Sequence, residues 1–504
     1  MTHAIEPPAA APRATSNARY PRGFYYGPNP PPEFKASPFR GLFHERKAER
    51  SHAVFGDAEV AVLGSCFDVV GSDKADAATR LALELARSPD AFFAALDRQA
   101  GRHVVFFRTP TLEGVLGDAT GCRTIFYDQE AIASHTGMLS DAAPDQIPFA
   151  RGFPGNWTPV PGVRILTPNT FKALSSQTVS RFWPKAAPDP IDLDEACRRI
   201  EAHARNALQQ GPRLALGLTA GIDSRTVAVA AWKAGVDLLT FTYDRGPHTH
   251  NDIAVARQVA ERLGFEHVTV LPSKPSKRMR VRLKDATYYN HHFNCVEPLA
   301  EALDGRAVAT GHLLEIGRVF YGQHRRHGRD LSTPDQMAAH YFDSLRRTAQ
   351  AQIDEYGRDQ WMAIATQAFA EFDEKTGFQT AAGLIDPFDL FYWEHRMGTW
   401  QSLILLERDF YAEPYMPFNC RAVFAAMLGL PREVREEAAL FFRLTDTPEL
   451  ADVPVTSSST AAISSAAKAA DARPKKRMGA KPKPWHVRLR RRLKRLFTGR
   501  GSVA

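Results

Sequence analysis

The segment Leu214-Ala-Leu-Gly-Leu-Thr-Ala-Gly-Ile-Asp-Ser-Arg225 holds the residue types that handle a phosphate chain. A buried-strand run ends in a turn of small residues, and a helical pattern begins directly after it. Ala220 and Gly221 leave backbone N–H groups accessible, and Gly221 can take a positive φ. The following helix points its positive N-terminal end at the turn, which is an anion-binding arrangement. Asp223 at the helix start would repel an anion on its own, so its chemistry points to a cation that bridges phosphates. Thr219 and Ser224 offer hydroxyls. No Gly-Lys-Ser/Thr follows, so this is not a Walker A loop. A tight strand-to-helix turn capped by Asp or Ser would use the same residues without any ligand.

The elements around this segment form a series. A helical period over Ile191–Gln209 precedes a strand over Arg213–Leu218 and a helix over Ser224–Ala234. A strand over Leu238–Tyr243, a helix over Asp252–Leu263 and a strand over His267–Leu271 follow. Strand and helix in alternation imply a parallel sheet. From about 333 to 445 the periods are mainly helical. Upstream, residues 52–183 read as mostly β, with runs at Glu59–Leu63, His103–Arg108, Gly114–Gly117 and Thr124–Tyr127. A helical stretch over Asp76–Ala95 interrupts them, and Pro89 is expected to split it. Residues 1–40 carry nine prolines and read as an extended arm without a core of its own, with Tyr20, Phe24, Tyr25 and Tyr26 able to lie on the folded body.

The loop Thr219-Ala220-Gly221-Ile222-Asp223-Ser224 resembles the Ser-Gly-Gly-x-Asp-Ser pyrophosphate loop of the asparagine synthase family, within the N-type ATP pyrophosphatases. Asn251–Gly264 with Glu266-His-Val follows the cadence of the family's second helix and third strand. Thr310-Gly311-His312-Leu-Leu-Glu315-Ile-Gly resembles its Ser-Gly-Glu-Gly-x-Asp-Glu loop, and Pro417-Phe418-Asn419-Cys420-Arg421 its Pro-Phe-Leu-Asp-x-Arg segment. Gly117-Asp118 through Tyr127, then Ala133-Ser134-His135 and Pro161-Gly162-Val163, resemble the family's amidotransferase half.

The resemblance implies an α+β, Ntn-type amidotransferase-like domain at 51–185. It implies an α/β, doubly wound parallel-sheet ATP pyrophosphatase domain with a helical C-terminal part at 190–450. An arm at 1–50 and a tail at 456–504 make up the remaining length. It implies ATP contacts at Leu218, Thr219, Ala220, Gly221, Ile222, Asp223, Ser224, Tyr243, Thr310 and Gly311. Mg2+ would sit on Asp223 and Glu315, and His312 would be the catalytic residue of the second loop. The implied activity is AMP-forming amide synthesis from a small carboxylate and ammonia or an amine. A homodimer is compatible with that reading.

The chain departs from the family at three points. The family's glutaminase uses an N-terminal cysteine; here position 2 is Thr2, and Cys66 and Cys122 are internal, so no glutamine hydrolysis is expected. His312 stands where the family has its catalytic glutamate. The family's lysine after the Pro-Phe segment has no match, and Arg432, Arg435 and Arg443 occupy that region. Arginine holds a leaving phosphate but is no proton shuttle. A second reading is therefore an ATP-binding regulator or scaffold without catalysis. A third, a nucleic-acid thiolase, would call for paired cysteines, and the five present are scattered.

His248 and His250, His291 and His292, and His324 and His327 do not have ligand spacing on one helix face, which favours solvated histidines over zinc. Arg396, Glu407, Arg408 and Asp409 read as solvated or paired charges beside core Trp393, Trp400, Leu403 and Leu406, with a substrate pocket as the alternative.

The formal charge of +8 would by itself suggest nucleic acid or an anionic membrane. Residues 456–504 hold fourteen Lys/Arg and one acid, Asp471, a balance of +13, so the remainder carries −5. That argues against nucleic acid as the partner of the body. The run 485–497 reads either as a basic amphipathic helix for an anionic membrane or as a disordered basic tail. With no secretory h-region, no apolar run of spanning length and no cysteine scaffold, a cytoplasmic place is expected, with the tail offering a peripheral one at the membrane.

Overall fold

The computed structural model describes residues 18–48, 50–70, 76–142, 144–145, 147–149, 152–287, 293–322 and 328–455. Thr2, His291, His292, His324, His327 and the tail 485–497 lie outside the described residues.

The first half builds two six-stranded sheets. One pairs its strands in the order 164–165, 126–127, 132–133, 24–26, 42–44, 35–36; the other runs 179–181, 170–172, 113–117, 99–108, 58–68, 50–55. Every pairing recorded in them is antiparallel. The strands Ala58–Asp68 and Gln99–Arg108 are buried on both faces, and period two divides their side chains. Ala61, Leu63, Val104 and Phe106 face the first sheet, where Phe24, Phe39 and Leu42 meet them. Val60, Val62, Val105 and Phe107 face the helices Ala77–Arg87 and Pro89–Leu96. Those helices part at Ser88, whose side chain caps the second by accepting from the Ala91 amide. The split at Pro89 is as the sequence predicts.

The arm is corrected in part. Residues 24–44 are not coreless: Phe24–Tyr26 pairs with both Leu42–His44 and Ile132–Ala133. Burying Tyr20, Phe24, Tyr25, Phe34 and Phe39 supplies the core that the proline count conceals. Thr124–Tyr127 shortens to a strand at Phe126–Tyr127.

The second half is a five-stranded parallel sheet in the order 266–270, 238–243, 214–217, 307–309, 414–415. Leu214 and Leu216 point to the helices Leu193–Gln209 and Ile222–Lys233, while Ala215, with Leu239 and Phe241, points to the opposite layer. Two buried faces explain why the run is continuously apolar. From the central strand the chain first winds outward through 238–243 and 266–270, then returns to the other side at 307–309. The reversal creates a crevice at the C-terminal ends of strands 214–217 and 307–309. Residues 334–450 are mostly helical and include a π-helix, Tyr392–Gln401, that continues into the α-helix Ser402–Arg408.

The two halves are pinned by buried polar contacts. Arg102 donates to both Asp409 oxygens at 2.7 and 2.9 Å. Arg181 forks Glu394, and Asn419 donates to Asp118 Oδ1 at 2.8 Å. The charges Arg396, Glu407, Arg408 and Asp409 are therefore buried rather than solvated, and Asp409 is paired, with Arg102 of the first half.

Candidate functional site

A cleft of about 340 Å³ opens at the crevice. Its lining includes Leu218, Thr219, Gly221, Asp223 and Ser224 from the first loop, and Thr310, Gly311 and His312 from the second. Tyr243 and Arg245 come from the end of the neighbouring strand, Asp252 from the next helix, and Arg408 and Tyr411 from the helical part. That volume lies at the lower end for a small-molecule site.

The first loop is closed by its own side chains. Ser224 Oγ accepts from the Thr219 amide at 3.1 Å, Thr219 Oγ1 from the Gly221 amide at 3.2 Å, and Asp252 Oδ1 from the Ala220 amide at 3.0 Å. Gly221 is the N-cap with φ −78° and ψ 155°, so the positive φ allowed by the sequence is not used. Glycine matters there for space: an added Cβ would stand 3.3 Å from Thr219 Oγ1. No side chain caps the helix Ile222–Lys233, which leaves its first-turn amides facing the turn. Neither Asp223 nor Ser224 serves as the cap, so the ligand-free explanation of the turn loses its main feature.

The site residues expected from the sequence divide into groups. Ala220 and Ile222 bury their side chains in the core and do not line the cleft. Gly311 lets the second loop approach the first, since a Cβ there would come within 2.8 Å of the Asp223 carbonyl oxygen. His312 is exposed in the cleft, its Nδ1 hydrogen-bonded to Thr310 Oγ1. Burial pushes the Tyr243 phenol well above its usual range, with the nearby Tyr411 adding to the shift. Arg245 stacks on the Tyr243 ring at 5.0 Å.

Asp223 and Glu315 are brought together, though by an arginine. Arg318 Nη2 donates to Asp223 Oδ2 at 2.6 Å and lies 3.5 Å from Glu315 Oε1. Tyr392 donates to the other oxygen of Glu315. Burial raises the Asp223 carboxyl to about 7; Arg318 opposes that shift and Glu315 adds to it. Asp223 Oδ1 is buried without a hydrogen-bond partner. These residues do not fit a two-carboxylate Mg2+ site as they stand, because a guanidinium already fills the space and both Glu315 oxygens are engaged. Of their four oxygens only Asp223 Oδ1 is without a partner, and it is buried.

The arginines in the place of the family's lysine are engaged elsewhere. Arg432 pairs with Asp386 and Glu436, Arg435 donates to buried Asp389 at 2.6 Å, and Arg443 meets Asp194 at 3.5 Å. The cleft cations are Arg245 and Arg408 instead. Sequence reasoning missed Arg245, Thr249, Asp252 and Tyr411 as site residues. The acid at the start of the second βα helix was the available signal for Asp252. His248 and His250 are exposed, and no group of three His, Cys, Asp or Glu suited to a metal occurs among the described residues.

Part of the chain is similar to a known family. Residues 198–289 match the family model described as asparagine synthase, a PP-loop ATP pyrophosphatase domain, and the match takes in the first loop, Tyr243 and Asp252. No curated protein matches the chain. Among solved structures, NMN synthetase from Francisella tularensis is 17% identical with a TM-score of 0.18, covering 26% of this chain and 59% of its own. The NH3-dependent NAD synthetase from Campylobacter jejuni is 12% identical at 0.20, covering 37% of this chain and 96% of its own. The U34-tRNA thiolase from Methanococcus maripaludis is 14% identical at 0.22, covering 55% and 74%. The chain thus spans about three fifths of the length of the NMN synthetase it matches.

Proposed function

We propose that this chain is an ATP-dependent, AMP-forming amide ligase similar to asparagine synthase. The observation that carries the reading is the position of the family-matched loop. Its uncapped helix N-terminus opens into a cleft at the switch point of a parallel sheet. ATP phosphates would lie on the amides of Ile222–Ser224, with Thr219 and Ser224 hydroxyls beside them. A carboxylate oxygen of the acid substrate would attack the α-phosphorus and expel pyrophosphate. Ammonia or an amine would then attack the acyl carbon and release AMP. Mg2+ would accompany the nucleotide, with Asp223 Oδ1 as its contact on the protein. His312, on the rim, is the group to take the proton from the amine. The amine is free rather than glutamine-derived, since Cys122 is buried and its thiol is pushed far up by burial. The test is pyrophosphate release across small carboxylic acids with ammonia; none above background would sink the reading.

A second reading draws on Arg318 and the self-bonded loop. A protein that binds ATP without turnover, as a regulator or scaffold at a membrane, would tolerate a guanidinium between the two acids. No described helix is long and apolar enough to cross a membrane. ATP binding by calorimetry with no turnover would favour this reading over the first.

A further inference from the structure

One cation in the cleft is left with directed donors unused. Arg408 ends the helix Ser402–Arg408 and lines the cleft while being only 5% exposed. Its Nε and Nη1 are buried and have no hydrogen-bond partner. Other buried arginines, among them Arg123, Arg225 and Arg421, leave one guanidinium nitrogen without a partner, whereas Arg408 leaves two. Arg102 donates through Nε to the Cys122 carbonyl and through both terminal nitrogens to Asp409. Arg396 is also buried with a free Nε, but it stacks on Trp400 at 4.3 Å and on Phe320 at 4.9 Å.

Arg408 has no comparable compensation. Of the two adjacent acids, Asp409 is already held by Arg102, and Glu407, wholly buried, makes no hydrogen bond to Arg408 Nε or Nη1. The phenols whose titration its charge influences are Tyr243 and Tyr411, and burial raises both, Tyr411 to about 12. They are neutral near pH 7 and cannot balance a guanidinium. The helix C-terminus favours a cation but is not a directed acceptor for Nε. A buried cation is stable when paired and hydrogen-bonded, and a guanidinium is shaped to take planar or tetrahedral oxyanions.

We propose that Arg408 binds an oxyanion of the ligand within the cleft, either a carboxylate of the acid substrate or a phosphate oxygen of the nucleotide. The inference rests on the cleft being the substrate site proposed above. It assigns the anion-binding wall to the helical part, opposite in origin to the loop at Thr219–Ser224. It also explains why the chain keeps a charge at a position that packing alone would fill with an apolar residue.

The test is calorimetric titration of the full-length chain with succinate and, separately, with inorganic pyrophosphate, and MgATP in parallel. Wild type should bind at least one of the first two saturably. Arg408→Met should weaken that binding by about tenfold or more, and Arg408→Lys should recover part of it. Loss confined to succinate assigns the site to the acid; loss confined to pyrophosphate assigns it to the nucleotide. Should Arg408→Met fail to fold, Arg408→Lys decides: weaker binding supports the site and unchanged binding overturns it. Unchanged affinity of a folded Arg408→Met for both probes, or no binding of either by wild type, also overturns it. Absence of MgATP binding with Arg408-dependent succinate binding intact would remove the ATP reading alone.

Discussion

Arg318 holds Asp223 at 2.6 Å, joining the second loop of the cleft to the first turn of the helix that follows the first loop. One guanidinium thereby neutralises an acid that burial alone would keep protonated, and it occupies the space a metal would need to touch Asp223 and Glu315 together.

Replacing it should expose that competition. Arg318→Met leaves two carboxylates facing each other, at a cost of roughly 2 kcal/mol for this partly buried pair. Its melting temperature should fall in EDTA and recover with Mg2+ or Mn2+, while wild type is indifferent to both. Equal melting of variant and wild type in EDTA would show that the arginine is not structural.

Ser224 ties the first loop shut through the Thr219 amide. Ser224→Ala should cost about 1 kcal/mol in urea unfolding. It should also weaken MgATP binding several-fold, because the hydroxyl that shapes the turn is gone. Unaltered affinity by fluorescence titration with a labelled nucleotide would place the phosphates elsewhere.

Asn419 also donates to the Gly101 carbonyl at 2.7 Å, so its amide spans the two halves. Asn419→Leu removes one buried hydrogen bond each from Thr120, Asp118 and the Gly101 carbonyl, and roughly 2–3 kcal/mol of stability should be lost. Limited proteolysis should then cut between the halves earlier than in wild type. An unchanged digestion pattern would count against a shared core.

Acid should destabilise the body through three buried histidines. Burial lowers His103 to about 4, and His135 and His395 to about 3. Below their unfolded value of ~6.5 the unfolded chain binds more protons than the native one, so stability falls as pH drops from ~6.5 towards 3. Melting temperature followed from pH 7 to pH 4 should decline, with a shallower slope in His395→Gln. Asp97 works the other way, since burial raises it to about 6, and its ionisation costs stability as pH rises past ~4. Three histidines outweigh one aspartate over this range, so a flat profile would contradict the histidine account.

Much of the scaffold is legible in the sequence because it rests on local chemistry. Leu238–Tyr243 forms as its apolar run indicates, and Asp192 caps the helix Leu193–Gln209 by accepting from the Glu195 amide. The loop at 218–224 is legible because small residues between a strand and a helix have few other uses. Three things are hidden, and each depends on contacts distant in the chain. The strand Phe24–Tyr26 forms only because 42–44 and 132–133 flank it. Arg318 carries no local signal, since its partner Asp223 is far upstream. Arg408 and Asp409 are neighbours with similar exposure, yet one is paired by Arg102 and the other faces the cleft. No periodicity separates those outcomes.

The π-helix Tyr392–Gln401 closes its hydrogen bonds over five residues where an α-helix uses four. It therefore acts as a phase shifter between Tyr392, which holds Glu315, and Arg408 at the far end of the same rod. Deleting one residue from the stretch would turn everything downstream by roughly 100°. Arg408 would rotate off the cleft while its immediate sequence stayed the same. Among homologous chains, a one-residue gap between 392 and 401 should thus mark those whose arginine no longer faces a ligand, and anyone transplanting this wall into another protein must carry the whole segment.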